Sequence, residues 1–418
     1  MGKLVGLNGV GREMTKRRVG RFSCRVLILS LMSFVLIVPA IIPISNVEAQ
    51  PRSQWTFMVY LDADNNLDSF AYQNVDDMMT VGSTRNVNIV VLWDKYDDVA
   101  NLYEVKSDEL DIVRGFALNG EEANMGDPDT LRSFVKFTMR SFRASHYVLV
   151  LWDHGDDFSG CCWDDHTGDS EVPEDHLTHQ EIAGALSGVE LDILAFDTCV
   201  EGMIEVVYEY ACYGSQIDYV VATEGYVPYS GYPYSAVLNA LAANSDMDSS
   251  DLSMVMVDEY IAYYDSKRPA SRLVQMGAID MTYVDLIVEQ LGSLTDVLEE
   301  GLLGPDSENY HGWIAAARGA GNMGWSEYGW EAYVDLPTFA NTLGTFDFHE
   351  ATIVYETLKD AVYSKASWAM KSAEGMGIFF PSSYASFYSK IWWNPEDYLA
   401  MQFPYEGFWA FLQTYWGK

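Results

Sequence analysis

The stretch 147-YVLVLWDHG-155 decides the fold. Six apolar residues of strand length run without polar interruption and end in Asp153, His154 and Gly155. A continuous apolar run suits a parallel strand covered on both faces, whereas a half-exposed strand would alternate. A second run of the same kind, 191-LDILAF-196, ends in Asp197, Thr198 and Cys199. Ligand and catalytic groups of open α/β sheets gather at the carboxyl ends of their strands. The spacing between the two ends allows one crossover, so adjacent parallel strands would set an imidazole beside a thiol.

Outward from this pair the pattern repeats. Strands are expected over 55–61, 87–93 and 219–223, with 273–279 a later member. Helical spacing predicts helices over 67–79, 130–142, 178–186 and 203–213. The third opens with a capping box, Thr178 to Glu181. Strands alternating with helices imply an α/β sandwich with right-handed crossovers. Past about Asn244 the character changes: helices over 252–264 and 282–300 lead into Gly-rich and aromatic segments, with 377-GIFFP-381 a late strand. The expected division is a leader over 1–49, a catalytic domain over 50–245, and a mainly helical part over 246–418 that completes the fold.

The leader is read from Lys16, Arg17, Arg18, Arg21 and Arg25, followed by the apolar run 26–42 and the small-residue pattern 47-VEA-49. That is the layout of a secretory signal peptide. An uncleaved segment of this length would instead anchor the chain in a membrane, but Pro39 and Pro43 interrupt it. The expected location is therefore secreted or extracytoplasmic, with a membrane role only if the segment is retained. The whole chain carries 25 basic and 61 acidic residues, a formal charge of −36, and loses seven bases with the leader. Nothing on such a surface could neutralise phosphates, which excludes nucleic acid as a partner. It would draw cationic ligands.

Cys161, Cys162, Cys199 and Cys212 remain in the mature chain. A thiol near an imidazole and a helix N-terminus loses its proton more readily, and the thiolate is the nucleophile. Cys199 stands just before an expected helix, so both influences are available to it. Cys212 lies among apolar helical residues and is expected to be buried. Cys161 and Cys162, with His154, His166, His176 and His179, fit no zinc spacing, so no metal site is assigned. A strained vicinal disulfide or a plain loop suits the two neighbours better. Asp62, Asp64, Asn66 and Asp68 resemble a calcium loop but lack its Gly and distal Glu, and are read as helix capping. No cofactor is required, and calcium is the cation so acidic a chain could attract.

Several motifs in fixed order make a more specific signal: 62-DADNNLD-68, 125-MGDPDTL-131, 150-VLWDHG-155, 160-GCCWDDHTGD-169, 196-FDTCVEG-202 and 220-VVATEGYVPYSGYPY-234. In these the chain resembles the clostripain-like cysteine peptidases of the caspase–haemoglobinase fold. The resemblance implies a caspase-like three-layer αβα sandwich with a mostly parallel sheet. It implies a secreted endopeptidase in which Cys199 is the nucleophile and His154 its acid–base partner, with an acyl-enzyme intermediate. Backbone N–H groups of Gly155 and Cys199 would hold the oxyanion. Cleavage after Arg or Lys of peptide or protein substrates would be directed by Asp197, with Glu224 a second candidate. Relatives mature by a cut after a basic residue in the loop following the His, yet this chain has no Lys or Arg between Arg143 and Lys267. It also departs from the family at Asp156, Asp157 and Glu201, carboxylates expected to raise the imidazolium pKa. Those departures keep open an impaired scaffold that binds cationic peptides. A metal-dependent hydrolase built on the 154–179 histidines and cysteines is the remaining reading.

Overall fold

The computed structural model describes residues 53–96, 98–267, 274–322, 332–367, 370, 373–389 and 394–418, so the leader expected over 1–49 lies outside the described residues. Gln50–Lys418 form one compact unit.

The first half alternates as its apolar periodicity demands. Strand β1 (Ser53–Ala63) leads to α1 (Asp68–Met79), β2 (Val87–Lys95), β3 (Asp98–Lys106) and β4 (Glu109–Ile112). Then come α2 (Pro128–Ser141), β5 (Ala144–Trp152), β6 (Cys161–Asp164), β7 (Asp175–Leu177) and α3 (His179–Ala185). Strand β8 (Glu190–Asp197), α4 (Ile204–Cys212), β9 (Gln216–Ala222), α5 (Tyr234–Ala243) and α6 (Ser249–Ser266) follow. The remainder adds β10 (Gln275–Asp280), α7 (Val284–Leu303), α8 (Ser307–Gly321), β11 (Tyr333–Asp335), α9 (Leu336–Gly344), α10 (His349–Ala361), β12 (Val362–Ala366) and β13 (Gly377–Phe379).

Nine strands form the main sheet in the order β12-β10-β9-β8-β5-β1-β2-β3-β4. The five central strands are parallel, and both edges are antiparallel. Strand β10, expected from 273–279, thus enters the sheet antiparallel to β9. The late strand at 377 joins β11 in a separate two-stranded sheet. Alternate residues of β1 feed opposite layers. Trp55, Phe57, Val59 and Leu61 pack with α1, α5 and α6, while Met58 and Tyr60 pack with α2, α3, α4 and the C-terminal helices. The architecture is a three-layer αβα sandwich.

Helix ends follow local chemistry. Asp127 accepts from Asp129 N–H ahead of Pro128 at the start of α2. The Thr178–Glu181 box closes reciprocally on α3. Phe57 is fully buried and meets Tyr234 of α5 edge-on at 6.4 Å. Phe57→Ala is expected to cost about 3–5 kcal/mol, read from the urea midpoint. Leu303→Ala, at a side chain 79% exposed, should stay within about 0.5 kcal/mol. Equal effects of the two would contradict the layer assignment.

Candidate active site

Strands β5 and β8 are hydrogen-bonded neighbours, with Trp152 in register with Asp197. His154 and Cys199 therefore each lie two residues past a paired position, on the same rim of the sheet. The loops that carry them touch. A Cβ on Gly155 would stand 2.5 Å from the Cys199 carbonyl oxygen, 2.6 Å from Glu201 Oε1 and 2.8 Å from Thr198 Cβ. Gly155 has no side chain because the Cys199 loop occupies that space.

His154 is half-buried, and its Nε2 lies 2.7 Å from Asn66 Oδ1. An oxygen facing Nε2 requires a hydrogen there, which leaves Nδ1 as the basic nitrogen. Asn66 was read as a cap, but α1 has Leu67 at its N-cap with no side-chain cap bond. The neighbouring Asn65 is the clamp: its Nδ2 donates to Asp153 Oδ1 at 2.7 Å and to the Trp163 carbonyl at 2.8 Å. Asp153 Oδ2 accepts from Trp163 N–H at 2.5 Å. The DNN motif thus binds the end of β5 to β6 and orients the imidazole. The signal was the motif itself, but the contact spans 88 residues.

Cys199 sits in a different setting from the one expected. Helix α4 begins only at Ile204, and Val200 adopts φ 63° between the nucleophile and the helix. The helix-terminus field falls off within a turn, so it reaches the sulfur weakly. Val227 N–H donates to Sγ at 3.4 Å. Burial pushes the thiol up to about 12, with Glu201, Asp197 and Asp156 adding to the rise and the Val227 N–H opposing it. The imidazole of His154 moves the other way. Burial lowers it below its ordinary value, and only Asp165 pulls it up. The expected rise from Asp156, Asp157 and Glu201 is absent because two of these acids are turned elsewhere. Asp157 accepts from Tyr333 O–H, and Glu201 pairs with His179.

Asp197 is almost wholly buried. Its Oδ2 accepts from Tyr232 N–H at 3.0 Å and Tyr234 O–H at 2.9 Å, while Oδ1 is buried without a partner. Burial lifts its carboxyl to about 7, against both donors. Gly231 (φ 62°) packs directly on it: a Cβ there would meet Asp197 Oδ2 at 2.8 Å. Glu224 is also fully buried but points to the C-terminal part, accepting from Gly375 N–H at 2.6 Å. Burial first, then Asp335, holds it well above the carboxylate range.

The remaining His and Cys do not converge. His166 is 2.8 Å from Asp64, His176 stacks on Trp163, and His179 is buried against Tyr210. Cys161 and Cys162 are buried free thiols in β6, neither disulfide nor loop, and Cys212 is exposed at the end of α4 rather than buried. Among the described residues no group of three His, Cys, Asp or Glu side chains is arranged to hold a metal.

Buried acids dominate the rim, and of these Asp64 and Glu201 face imidazoles. Burial lifts Asp94 to about 9, Glu205 and Glu201 to about 7, and Asp64 and Asp156 to about 6. Asp62, in register with Asp94, lies well above the usual range as well. Each group binds its proton more tightly folded than unfolded. Its contribution is therefore complete below the ordinary carboxyl range near about 4 and is lost as pH rises through the raised values. His179 and His166, also raised, act in the same sense. The lowered His154 opposes them only toward acid pH. The urea midpoint at constant ionic strength should accordingly be higher at pH 5 than at pH 8. An equal or reversed order would contradict the burial of these carboxyls.

The model of the clostripain family (peptidase family C11) matches residues 59–416. Clostripain of Hathewaya histolytica is 29% identical over 229 residues, covering 47% of this chain and 44% of the relative, so the match spans less than half of that protein. Two solved structures share the fold. A secreted C11 cysteine protease from Bacteroides thetaiotaomicron, bound to an irreversible peptide inhibitor, aligns with TM-score 0.62 and 17% identity over 85% of this chain and 99% of that one. An inactive zymogen C11 protease from Parabacteroides distasonis gives 0.63 and 18% over 86% and 99%. The strand-end pairing and the ordered motifs agree with these matches: the chain belongs to the clostripain family.

Proposed function

We propose that the protein is an exported cysteine endopeptidase that cuts after Arg or Lys through Cys199 and His154. The observation that carries this reading is the contact of the Gly155 backbone with the Cys199 loop at the rim where β5 and β8 end. Cys199 Sγ attacks the scissile carbonyl as its proton passes to His154 Nδ1. The resulting oxyanion collapses to an acyl-enzyme while His154 returns the proton to the departing amine. Water then gives its proton to His154, attacks the thioester and releases the acid and the thiol. Asn66 holds the ring for both transfers. The ladder from the histidine loop to β6 uses His154 O and Asp156 N–H, so the Gly155 N–H is not spent on it. Together with the Cys199 N–H it suits the oxyanion.

The high-lying thiol implies that ionisation is coupled to attack, with His154 taking the proton as substrate closes the rim. No cofactor enters these steps, and calcium is at most a ligand of the acidic surface. Asp197 suits a guanidinium or ammonium: one oxygen is fixed by Tyr232 and Tyr234, and the other is unpaired. Glu224 has an oxygen committed to Gly375, so recognition rests on Asp197. The acidic surface would steer basic substrates inward. Export rests on the leader read at 1–49. Among the described residues no helix is long and apolar enough to cross a membrane.

Labelling by a peptidyl-arginyl chloromethyl ketone tests the nucleophile. Wild type should react and Cys199→Ala should not; labelling that survives the substitution rejects the assignment. Asp197→Asn should lower kcat/KM for an arginyl substrate by about a hundredfold, since it leaves a cation without its buried partner. Unchanged preference for basic residues would remove Asp197 from the pocket. The chain is expected to be active as one polypeptide on a reducing gel, because the loop between His154 and Cys199 offers no Lys or Arg. A cut within that loop would contradict this. The thiol at about 12 favours a second reading, a binding scaffold without turnover. It would retain Arg peptides without being labelled.

A further inference from the structure

The two loops of the dyad are joined by a buried ion pair that the reaction does not consume. Glu201 and His179 are both fully buried, with Oε2 3.0 Å from Nε2. Glu201 lies two residues past Cys199, and His179 opens α3 behind its capping box. The same Nε2 is 2.5 Å from the Asp157 carbonyl oxygen, and Nδ1 is 2.8 Å from the Tyr210 hydroxyl. Nε2 therefore carries a hydrogen directed at the Asp157 carbonyl, and the Glu201 oxygens accept no hydrogen bond among the described residues, so the contact of Oε2 with the imidazole is one of charge. The other oxygen of Glu201 reaches to 2.6 Å from the point where a Gly155 Cβ would stand. This carboxylate therefore fills the space between the histidine loop and the nucleophile loop.

Its charge faces a one-sided environment. Asp156 and Asp157 approach from the histidine loop and Tyr210 from α4, while Glu205 acts on Asp157 and Glu209 on His179 and Tyr210. Cys161 faces it from β6, Cys162 faces Tyr210, and Tyr333 meets Asp157 from β11. None of these groups supplies positive charge. Glu201 is also the largest charge raising the Cys199 thiol, after burial itself.

We propose that His179 and Glu201 form a positioning pair, in which the imidazolium holds the Glu201 carboxylate between the Gly155 and Cys199 loops and balances its charge beside the nucleophile. The proposal rests on the reading of Cys199 as the nucleophile. Without the cation, a bare carboxylate opposes the thiolate. Without the carboxylate, the thiolate loses its largest opposing charge, and the buried imidazole, no longer raised by Glu201, goes neutral.

The test follows the rate of Cys199 alkylation by iodoacetamide against pH in the full chain, with the modified peptide identified by mass, alongside kcat and KM. Glu201→Gln keeps the volume and removes the charge, and should move the alkylation midpoint down by at least about half a pH unit. His179→Gln should move it up by a similar amount and lower kcat about tenfold, with KM changed less than about threefold. Midpoints that stay put in Glu201→Gln, with kcat and KM tracking stability alone, would overturn the pair's role even if His179→Gln fails to fold. Turnover that survives Cys199→Ala would instead overturn the nucleophile reading, and this proposal with it.

Discussion

The parallel ladder between β5 and β8 is the constraint on which the site depends. Five register pairs, from Val148 with Ile193 to Trp152 with Asp197, fix where the two chains leave the sheet. Side chains of these strands are buried in both layers, so neither strand can slide by one residue without sending a whole apolar set to the wrong face. The exits are therefore fixed relative to each other before any reactive side chain is considered. Chemistry is then added by short clamps. Asn65 holds Asp153, Asn66 holds the imidazole, and Tyr232 with Tyr234 holds Asp197.

Electrostatics is the second organising fact. The chain is strongly acidic overall, and its rim concentrates carboxyls that burial has made poor acids. Asp62 and Asp94 end neighbouring strands in register, and Glu224 meets Asp335 beneath the C-terminal segment. Removing one carboxylate charge in such surroundings relieves repulsion, whereas burying an unpaired one is costly. The pair formed by His179 and Glu201 differs from that of His166 and Asp64 in having both partners fully buried. Its position between the His154 and Cys199 loops ties charge balance to geometry.

The sequence made the centre of the sheet legible and left the edges obscure. The five central strands read as largely apolar runs, broken only by Thr56, Asn88 and Asp192, because both faces are covered. Strand β3 could not be read that way, since its burial alternates along one half-open edge, and β4 is largely exposed. The cap on α3 was legible because its bonds join residues three apart. Helix α5 was missed: it follows Pro233 without a side-chain cap. Residue identities told which groups could react, but not what surrounds them. The Asn66 contact and the partnership of His179 with Tyr210 and Glu201 join distant segments. The low-lying thiol expected from a nearby helix failed because burial dominates at Cys199 and Val200, at φ 63°, separates it from α4.

An experimental structure of the Cys199 adduct with an arginyl peptide electrophile measures the central relation directly. The account predicts a thioether at Sγ, His154 Nδ1 within hydrogen-bond reach of the former carbonyl or leaving-group position, Asn66 still on Nε2, and the arginine over Asp197. An adduct in which the imidazole faces away across the rim, with no contact between the Gly155 and Cys199 loops, would contradict it.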